Sequence, residues 1–305
     1  MAIAALLTAC VHTGDWASLH NPLNGKVWDV AARRFVDPAI VLEKAAAARL
    51  VLLGEIHDND EHHRIQARIF NDLLNRGHRP ALVMEQYDVD QQGKIDTLLR
   101  SGVQDHTLRE LSQLMRKSWD WPVYEPIARQ AVQQALPLAA ANLSREALRQ
   151  VSRNGYSALG ADEETRLALE TVWTPERQKR LLHEVHAGHC GKMPDQMIQA
   201  VAKAQRARDA VMADTMLRFK ERGAVAIVGR GHARKDVGVP LYLAARAPET
   251  AVLALGLIET DVPTDPAIYA YGPLGQQYDY VWFTARTRRK ADPCNSIPAK
   301  STATG

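Results

Sequence analysis

LVLLGEIH, residues 50–57, is an apolar run that ends in a glycine, a carboxylate and an imidazole. Similar runs of Val, Ile, Leu and Ala recur at wide intervals, at Ala81–Met84, Leu136–Ala141, Ala224–Val228 and Val252–Leu257. Continuous apolar runs of this length are typical of central strands that are buried on both faces. Because longer segments with helical spacing separate them, we predict βαβ units and an α/β fold, with a mostly parallel central sheet flanked by helices.

Several of the intervening segments have helical character. Apolar residues recur on one face of Glu61–Arg76, after which Gly77 closes the helix and Pro80 opens the next strand. Gln196–Arg222 predicts a second long helix. The stretch between the third and fourth strands is too long for one crossover helix, so we expect a helical insertion over about residues 146–200 that caps the sheet.

The ends of the predicted domain differ from its centre. Lys26–Val30 and Arg34–Val36 predict a small hairpin, and the alternation in Tyr278–Phe283 predicts a late antiparallel edge strand. We therefore expect a single α/β domain over residues 25–284. Residues 285–305 are first basic and then rich in Pro, Ser and Thr, which predicts a disordered tail.

Composition excludes several classes of protein. The 305 residues include 38 Lys and Arg against 35 Asp and Glu, a balance too even to indicate nucleic-acid binding. The mean hydropathy is −0.28, and no apolar run is long enough for a multispan membrane protein. Cys190 and Cys294 lack a CxxC partner, which disfavours a cysteine-rich zinc site. Whether these two thiols pair in a disulfide stays open.

The first residues indicate a lipid anchor. Leu7-Thr-Ala-Cys10 has the shape of a bacterial lipobox, in which small residues enter a peptidase and the cysteine thiol receives the lipid. A complete signal peptide needs a cationic start and a longer apolar stretch, so we expect the true start codon upstream. We interpret residues 1–10 as the remnant of a lipoprotein signal and residues 11–24 as a tether. Val11 carries no inner-membrane retention charge, which favours the outer membrane.

Polar side chains follow four of the predicted strands. They are Glu55, His57, His62 and His63 after the first, Glu85 and Tyr87 after the second, Asn142 and Arg145 after the third, and Arg230 and His232 after the fourth. Open α/β sheets bind ligands at the carboxyl ends of their strands. We therefore expect one polar cleft, lined by Glu55, His57, Glu85, Asn142, Arg145 and His232.

Structural roles are open alternatives for some of these residues. Glu85 can pair with an arginine, and one of the paired histidines can face solvent. Gln205, Arg208 and Asp209 share one side of the long helix, where bracing of the site's loops is favoured over facing it. His183, His186 and His189 are three residues apart, which favours a solvated helix end over a soft-metal site with Cys190.

Together these motifs resemble the ChaN-like family of haem-binding lipoproteins, within the Tiki/TraB/erythromycin-esterase-like superfamily. The matching motifs include Leu53–Asn59 with His62, His63 and Gln66, Met84–Gln86, Trp119–Trp121 with Tyr124, Ala140–Asn142 with Arg145, Gln205 with Arg208, Asp209, Met212 and Ala213, and Gly229–Ala233 with Gly238–Pro240. They keep the family's order over about residues 25–260. The resemblance implies an α/β fold, an outer-membrane or periplasmic lipoprotein, haem binding and a role in iron acquisition.

The resemblance supplies haem, and the residues suggest how it is held. The absence of Cys-x-x-Cys-His excludes covalent attachment of the c type, so haem binding is expected to be non-covalent. We predict a tyrosine ligand, Tyr156 first and Tyr87 second, with His62, His63 or His183 next. Arg145, Arg149 and Arg153 precede Tyr156 at helical spacing, where they can hold the propionates and keep a phenolate deprotonated. Whether one chain binds haem or a homodimer shares it is left open.

A hydrolase is the alternative function. Glu55 or Glu85 would be the general base, His57 and His232 acids or metal ligands, and Arg230 an oxyanion clamp. The wider superfamily associates the Gly-Glu-x-His and Gly-x-Gly-His elements with such chemistry. No Gly-x-Ser-x-Gly elbow and no HExxH zinc motif is present. We rank haem binding first and leave an enzymatic activity open.

We predict that the protein is lipidated at Cys10 when it is expressed from its full-length gene. Cys10→Ala removes the thiol that accepts the lipid, so the variant is expected in the soluble fraction and the wild type in the membrane fraction. Membrane fractionation measures this difference. Equal soluble fractions for both proteins would contradict the prediction.

Overall fold

A computed structural model describes residues 20–102, 104–160, 162–260, 277–289 and 294. Cys10 and residues 11–19 of the expected tether lie outside the described residues. The strands of the described part are β1 Val27–Asp29, β2 Arg34–Val36, β3 Leu50–Glu55, β4 Ala81–Asp88, β5 Leu138–Asn142, β6 Ala224–Gly229, β7 Val252–Thr260 and β8 Tyr280–Ala285. They form one eight-stranded sheet in the order β2-β1-β8-β7-β3-β6-β4-β5.

The sheet is mostly parallel, as predicted. Every pair from β8 through β7, β3, β6 and β4 to β5 is parallel, and only the β1–β2 hairpin adds antiparallel pairs. The prediction of an antiparallel edge strand at Tyr278–Phe283 is wrong about the edge, because β8 lies inside the sheet, antiparallel to β1 and parallel to β7. Both faces of β8 are apolar, because Tyr280 and Trp282 pack into one core and Val281 and Phe283 pack into the other.

Helices cover both faces of the sheet. They are α1 Pro38–Ala47, α2 Asp60–Asn75, α3 Gln92–Arg100, α4 Gln104–Leu114, α5 Trp121–Gln133, α6 Arg145–Asn154, α7 Glu163–Arg166, α8 Pro175–Gly188, α9 Asp195–Leu217 and α10 Val239–Arg246. Successive residues of β3 enter opposite cores: Leu50 and Leu52 face the layer that contains α9, and Val51 and Leu53 face the layer that contains α2. This two-sided burial explains why the strand has no polar position before its end.

The sequence just after β3 favours the start of helix α2 at Asp60. Asn59 caps the helix, since its side chain accepts the backbone N–H groups of Glu61 and His62. Two acidic residues in the first turn favour the positive end of the helix dipole. The helix therefore begins within five residues of Glu55 and holds His62 and His63 at the carboxyl edge of the sheet.

The stretch between β5 and β6 is helical in its described part, where α6 to α9 occur and no strand does. No helix of the described residues is long and apolar enough to cross a membrane. Cys294 forms a disulfide with Cys190, which directly follows α8 and His189. Arg289 pairs with Asp58 and, at 2.8 Å, with Glu259. Disorder from residue 285 onward was therefore the wrong expectation for these two positions.

Gly54 allows the loop after β6 to lie directly on β3. A Cβ atom at Gly54 would lie 2.7 Å from Cβ of Ala233 and 2.9 Å from Cα of Arg230, closer than side chains tolerate. We expect Gly54→Ala to lower the free energy of unfolding by about 1–3 kcal/mol, measured by chemical denaturation.

Gly93→Ala is the matched control, because Gly93 lies in α3 and nothing stands within 4 Å of its added Cβ. That change is expected to raise the free energy of unfolding by about 0.5–1 kcal/mol. Equal effects of the two substitutions would show that the close approach at Gly54 does not matter for stability.

Candidate functional site

Glu55, the last residue of β3, is the centre of the site, and its side chain is fully buried. Its Oε1 accepts hydrogen bonds from the hydroxyl of Tyr124 (2.6 Å) and from Nδ1 of His57 (2.8 Å). Nδ1 of His63 lies 3.1 Å from Oε2. Burial alone would raise the pKa of Glu55, but the hydrogen bonds and charges of the two histidines outweigh it and lower the pKa to about 2. Glu55 is therefore a buried carboxylate anion.

A second cluster consists of His232 and two acidic residues, Glu85 of β4 and Asp209 of α9. Oε2 of Glu85 accepts the backbone N–H of Gly229 (2.7 Å), and its Oε1 lies 3.3 Å from Nε2 of His232. Nδ1 of the same ring donates to Asp209 of α9 at 2.5 Å. Burial would lower the pKa of His232, but the two carboxylates outweigh it and raise the pKa to about 10. His232 is therefore a buried imidazolium between two carboxylates.

The two clusters meet over Gly229. A Cβ atom there would lie 3.0 Å from Nε2 of His57 and 3.6 Å from Oε2 of Glu85, so the imidazole of His57 occupies the space that a side chain would fill. Asn142 joins from β5, where its Nδ2 donates to the carbonyl of Glu85 at 3.0 Å. The structure thus brings five of the six predicted cleft residues to the carboxyl ends of β3, β4, β5 and β6.

His57 is the accessible imidazole of this cluster. Its side chain is 44% exposed, and its ring meets the edge of the Trp119 ring at a centroid distance of 4.2 Å. Nδ1 is held by Glu55, and Nε2 has no hydrogen-bond partner among the residues that the structure describes. In a neutral ring whose Nδ1–H donates to a carboxylate, Nε2 presents its lone pair. The arrangement can bind a metal ion or take up a proton.

His62 and His63 were candidates, but both use their nitrogens inside the fold. Nδ1 of His62 accepts the N–H of Ile56 (2.9 Å), and its Nε2 donates to Oγ1 of Thr284 (2.8 Å). Burial lowers the pKa of His62 to about 4, so the ring is neutral. Nε2 of His63 donates to the carbonyl of His57 (3.1 Å), and its Nδ1 faces the buried carboxylate described above. Neither ring leaves a nitrogen for a ligand.

Tyr87 does not reach the cleft. The pairing of β4 with β5 shifts register between Met84 and Asp88, and Tyr87 is packed in the same core as Met84. Its hydroxyl donates to the carbonyl of Leu111 at 3.2 Å. Burial raises the pKa of this hydroxyl, so the side chain is a neutral core tyrosine.

Tyr156 and the three arginines of α6 face different surroundings. Arg145, Arg149 and Arg153 are exposed, whereas Tyr156 is 6% exposed and packs under the guanidinium of Arg206, 5.3 Å from the ring centroid. Burial raises the pKa of Tyr156, and the charge of Arg206 opposes this rise without cancelling it. The expected phenolate beside these arginines is therefore not formed in this structure.

Sequence reasoning did not name Tyr124 and Trp119 as site residues, because they lie on or beside a helix and not at a strand end. Both stand within a motif that carried the family resemblance, and that motif was the available signal. For Asp209 a bracing role was favoured over facing the site, and its carboxylate accepts from Nδ1 of His232. The indole Nε1 of Trp119 and Oδ1 of Asn142 are buried without a partner in the described part of the chain, so the site keeps hydrogen-bonding capacity for a ligand or water.

The predicted histidine series on α8 forms no metal site. The helix ends at Gly188, and Nδ1 of His189 donates to the carbonyl of Val185 at 2.7 Å. Among the described residues, no group of three or more His, Cys, Asp and Glu side chains is arranged to hold a metal ion.

The fold and the site define an α/β protein with a buried acid–imidazole cluster at the carboxyl edge of a mostly parallel sheet. The family model described as "Haem-binding uptake, Tiki superfamily, ChaN" matches residues 41–243, which is more than half of the chain. The chain belongs to this ChaN family of the Tiki superfamily, as the sequence motifs predicted.

One solved structure shows the same fold, and a second is a weaker match. ChaN of Campylobacter jejuni, in a structure of cofacial haem binding, is 20% identical, with a TM-score of 0.69 over 86% of this chain and 98% of that one. A mutant of the erythromycin esterase EreC in its open conformation is 13% identical, with a TM-score of 0.48 over 88% and 99%. The second likeness is too weak to bear on function. No curated protein matches the chain significantly.

The pKa of His232 predicts how stability depends on pH. Because the pKa is raised from 6.5 to about 10 on folding, the stabilisation is complete below pH 6.5 and is lost as the pH rises through about 10. We expect the free energy of unfolding of the wild type to fall between pH 7 and pH 10, and His232→Gln to lack this component. At pH 7 the variant should be less stable by about 3–5 kcal/mol, because two buried carboxylates lose their cation. Parallel pH profiles of the two proteins would contradict the assignment.

Proposed function

We propose that this protein binds haem at the carboxyl edge of its sheet and carries it in iron acquisition. Membership in a haem-binding family supports the ligand, and the fold shared with haem-bound ChaN of Campylobacter jejuni supports the type of scaffold. The proposal rests on the imidazole of His57, whose side chain is 44% exposed, whose Nδ1 is held by the anionic carboxylate of Glu55, and whose Nε2 has no partner among the described residues.

The residues at this edge fit a haem. Imidazole nitrogen is a common axial ligand of haem iron, and iron-binding histidines usually donate their second nitrogen to a carboxylate or carbonyl. Trp119 offers an aromatic surface beside the His57 ring. Arg230 is exposed directly after β6, where its guanidinium can pair with a propionate. The anchoring of His57 by Glu55 and its position over Gly229 fix the direction of Nε2 before any ligand arrives.

This proposal replaces tyrosine by His57 as the first candidate ligand. Coordination by Tyr156 or Tyr87 would require either side chain to leave a packed core and lose its proton, although burial raises both pKa values. His57 needs neither change. The remaining imidazole of the cleft, His232, is a buried cation whose two nitrogens face carboxylates, so it stabilises the loop after β6 instead of binding iron.

The cellular setting belongs to the proposal as well. A lipid on Cys10 would tether the protein to the outer membrane, and the lipobox motif supports this placement. A site that leaves His57 44% exposed also leaves room for a second copy of the chain to cover the haem. A homodimer that shares haem is therefore proposed, and the mass of the haem-loaded protein in solution tests it.

The pair of Glu55 and His57 favours hydrolysis as a second candidate function. A carboxylate-oriented imidazole with one accessible nitrogen has the geometry of a general base, and the neighbouring imidazolium could stabilise a developing negative charge. Ester hydrolysis by the purified wild type that His57→Ala abolishes would favour this alternative. A protein that binds haem and leaves esters intact would exclude it for those substrates.

We predict that haemin titrated into the wild type gives a saturable change in the absorption spectrum. His57→Ala removes the imidazole whose Nε2 is unpartnered among the described residues, so we expect it to weaken binding at least about tenfold and to alter the spectrum of the bound iron. Tyr156→Phe and Tyr87→Phe are expected to keep the spectrum and affinity of the wild type.

His78→Ala is the matched control, because His78 is exposed just before β4, at the opposite edge of the sheet. It should bind haemin as the wild type does. A wild type that does not bind haemin contradicts the proposed function. Unchanged binding by His57→Ala, with loss in either tyrosine variant, contradicts the ligand assignment alone.

A further inference from the structure

A second polar cavity lies away from the cleft, between α6, α8 and α9. Its volume of about 350 Å³ is at the lower end of the range for small-molecule sites. Ser152 contributes from α6 and Gln178 from α8, and α9 supplies a row of polar residues, Gln196, Gln199, Lys203 and Arg206. These four stand at spacings of three, four and three, which places them on one face of the helix.

Arg206 is the buried charged residue of this cavity. Its side chain is 9% exposed, and its guanidinium lies over the rings of Trp173 and Tyr156, 4.5 and 5.3 Å from their centroids. Its Nη2 donates to the carbonyl of Leu169 (2.6 Å) and to Oε2 of Glu170 (2.7 Å), and its Nη1 donates to Oε1 of Gln178 (3.3 Å). The remaining donor, Nε, is buried and has no partner within the described part of the chain. A buried charged donor without an acceptor indicates that a ligand or water completes the site.

Three further polar side chains of the cavity, all on α9, are available to a ligand. Lys203, Gln196 and Gln199 make no side-chain hydrogen bond or ion pair within the ranges that the structure describes. Glu170 balances one positive charge, so the cavity retains the charge of Lys203 together with several amide and hydroxyl groups. Cations attract an oxyanion, and amides bind hydroxyl groups as both donors and acceptors.

We propose that this cavity binds a small oxyanion that also carries hydroxyl groups, such as a hydroxycarboxylate or a sugar phosphate. The site is separate from the haem cleft, because α9 faces His232 with Gln205 and Asp209 and faces this cavity with Lys203 and Arg206. The inference therefore does not depend on haem binding. The oxyanion accepts from Nε of Arg206 and from Lys203, and the hydroxyl groups contact the amides.

Isothermal titration calorimetry on the full chain tests the proposal with three probes of similar size. Gluconate carries a carboxylate, glucose 6-phosphate carries a phosphate, and glucose carries neither. We expect at least one anion to bind about tenfold or more tightly than glucose, since a charge-assisted hydrogen bond contributes that much. The anion that binds identifies which of the two chemistries the cavity selects.

Lys203→Gln should weaken the binding of that anion about tenfold, because it removes a charge that lines the cavity. Lys179→Gln makes the same change at an exposed position of α8 outside the cavity and should have no effect. Gln199→Ala is a second variant at the exposed rim and should also weaken binding. Binding of neither anion, equal binding of glucose, or equal losses in the two lysine variants would overturn the proposal.

Discussion

The burial of the Glu55 carboxylate is the constraint on which the rest of the site depends. An anion at the end of a central strand is costly unless it is paired and hydrogen-bonded, and here the side chain has no exposure at all. Tyr124 and His63 therefore approach it from two helices, and His57 approaches it from the loop between β3 and α2. Removing the carboxylate would leave all three groups without their common acceptor.

In both clusters a buried carboxylate is stabilised by an imidazole, but the two imidazoles differ in their access to solvent. At Glu55 the anion orients an imidazole that reaches solvent, whereas Glu85 and Asp209 hold the imidazolium of His232 inside the protein. That imidazolium connects β4, α9 and the loop after β6. Gly229 makes the two clusters compatible, because the ring of His57 occupies the place of its missing side chain. One cluster is thus suited to binding and the other to holding the edge of the sheet together.

Apolar runs with polar ends were enough to predict the parallel sheet and the meeting of Glu55, His57, Glu85, Asn142 and His232, because carboxyl ends of parallel strands share one edge. The orientation of single side chains was beyond that reasoning. A register shift in β4 accompanies the burial of Tyr87 in a core. The backbone N–H of Ile56 donates to Nδ1 of His62, which takes this nitrogen away from any ligand. The position of β8 depends on pairing between strands that are distant in sequence, and the position of Cys294 depends on its disulfide with Cys190. Local periodicity encodes neither.

The central claim is that the buried carboxylate of Glu55 presents Nε2 of His57 to haem iron. Resonance Raman spectroscopy of the ferrous haem complex tests it most directly, because an iron–imidazole stretch reports the ligand atom itself. We expect such a band, sensitive to ¹⁵N labelling of histidine and absent from His57→Ala. Tyrosinate modes in the ferric complex, or an iron–imidazole band that persists in His57→Ala, would contradict it.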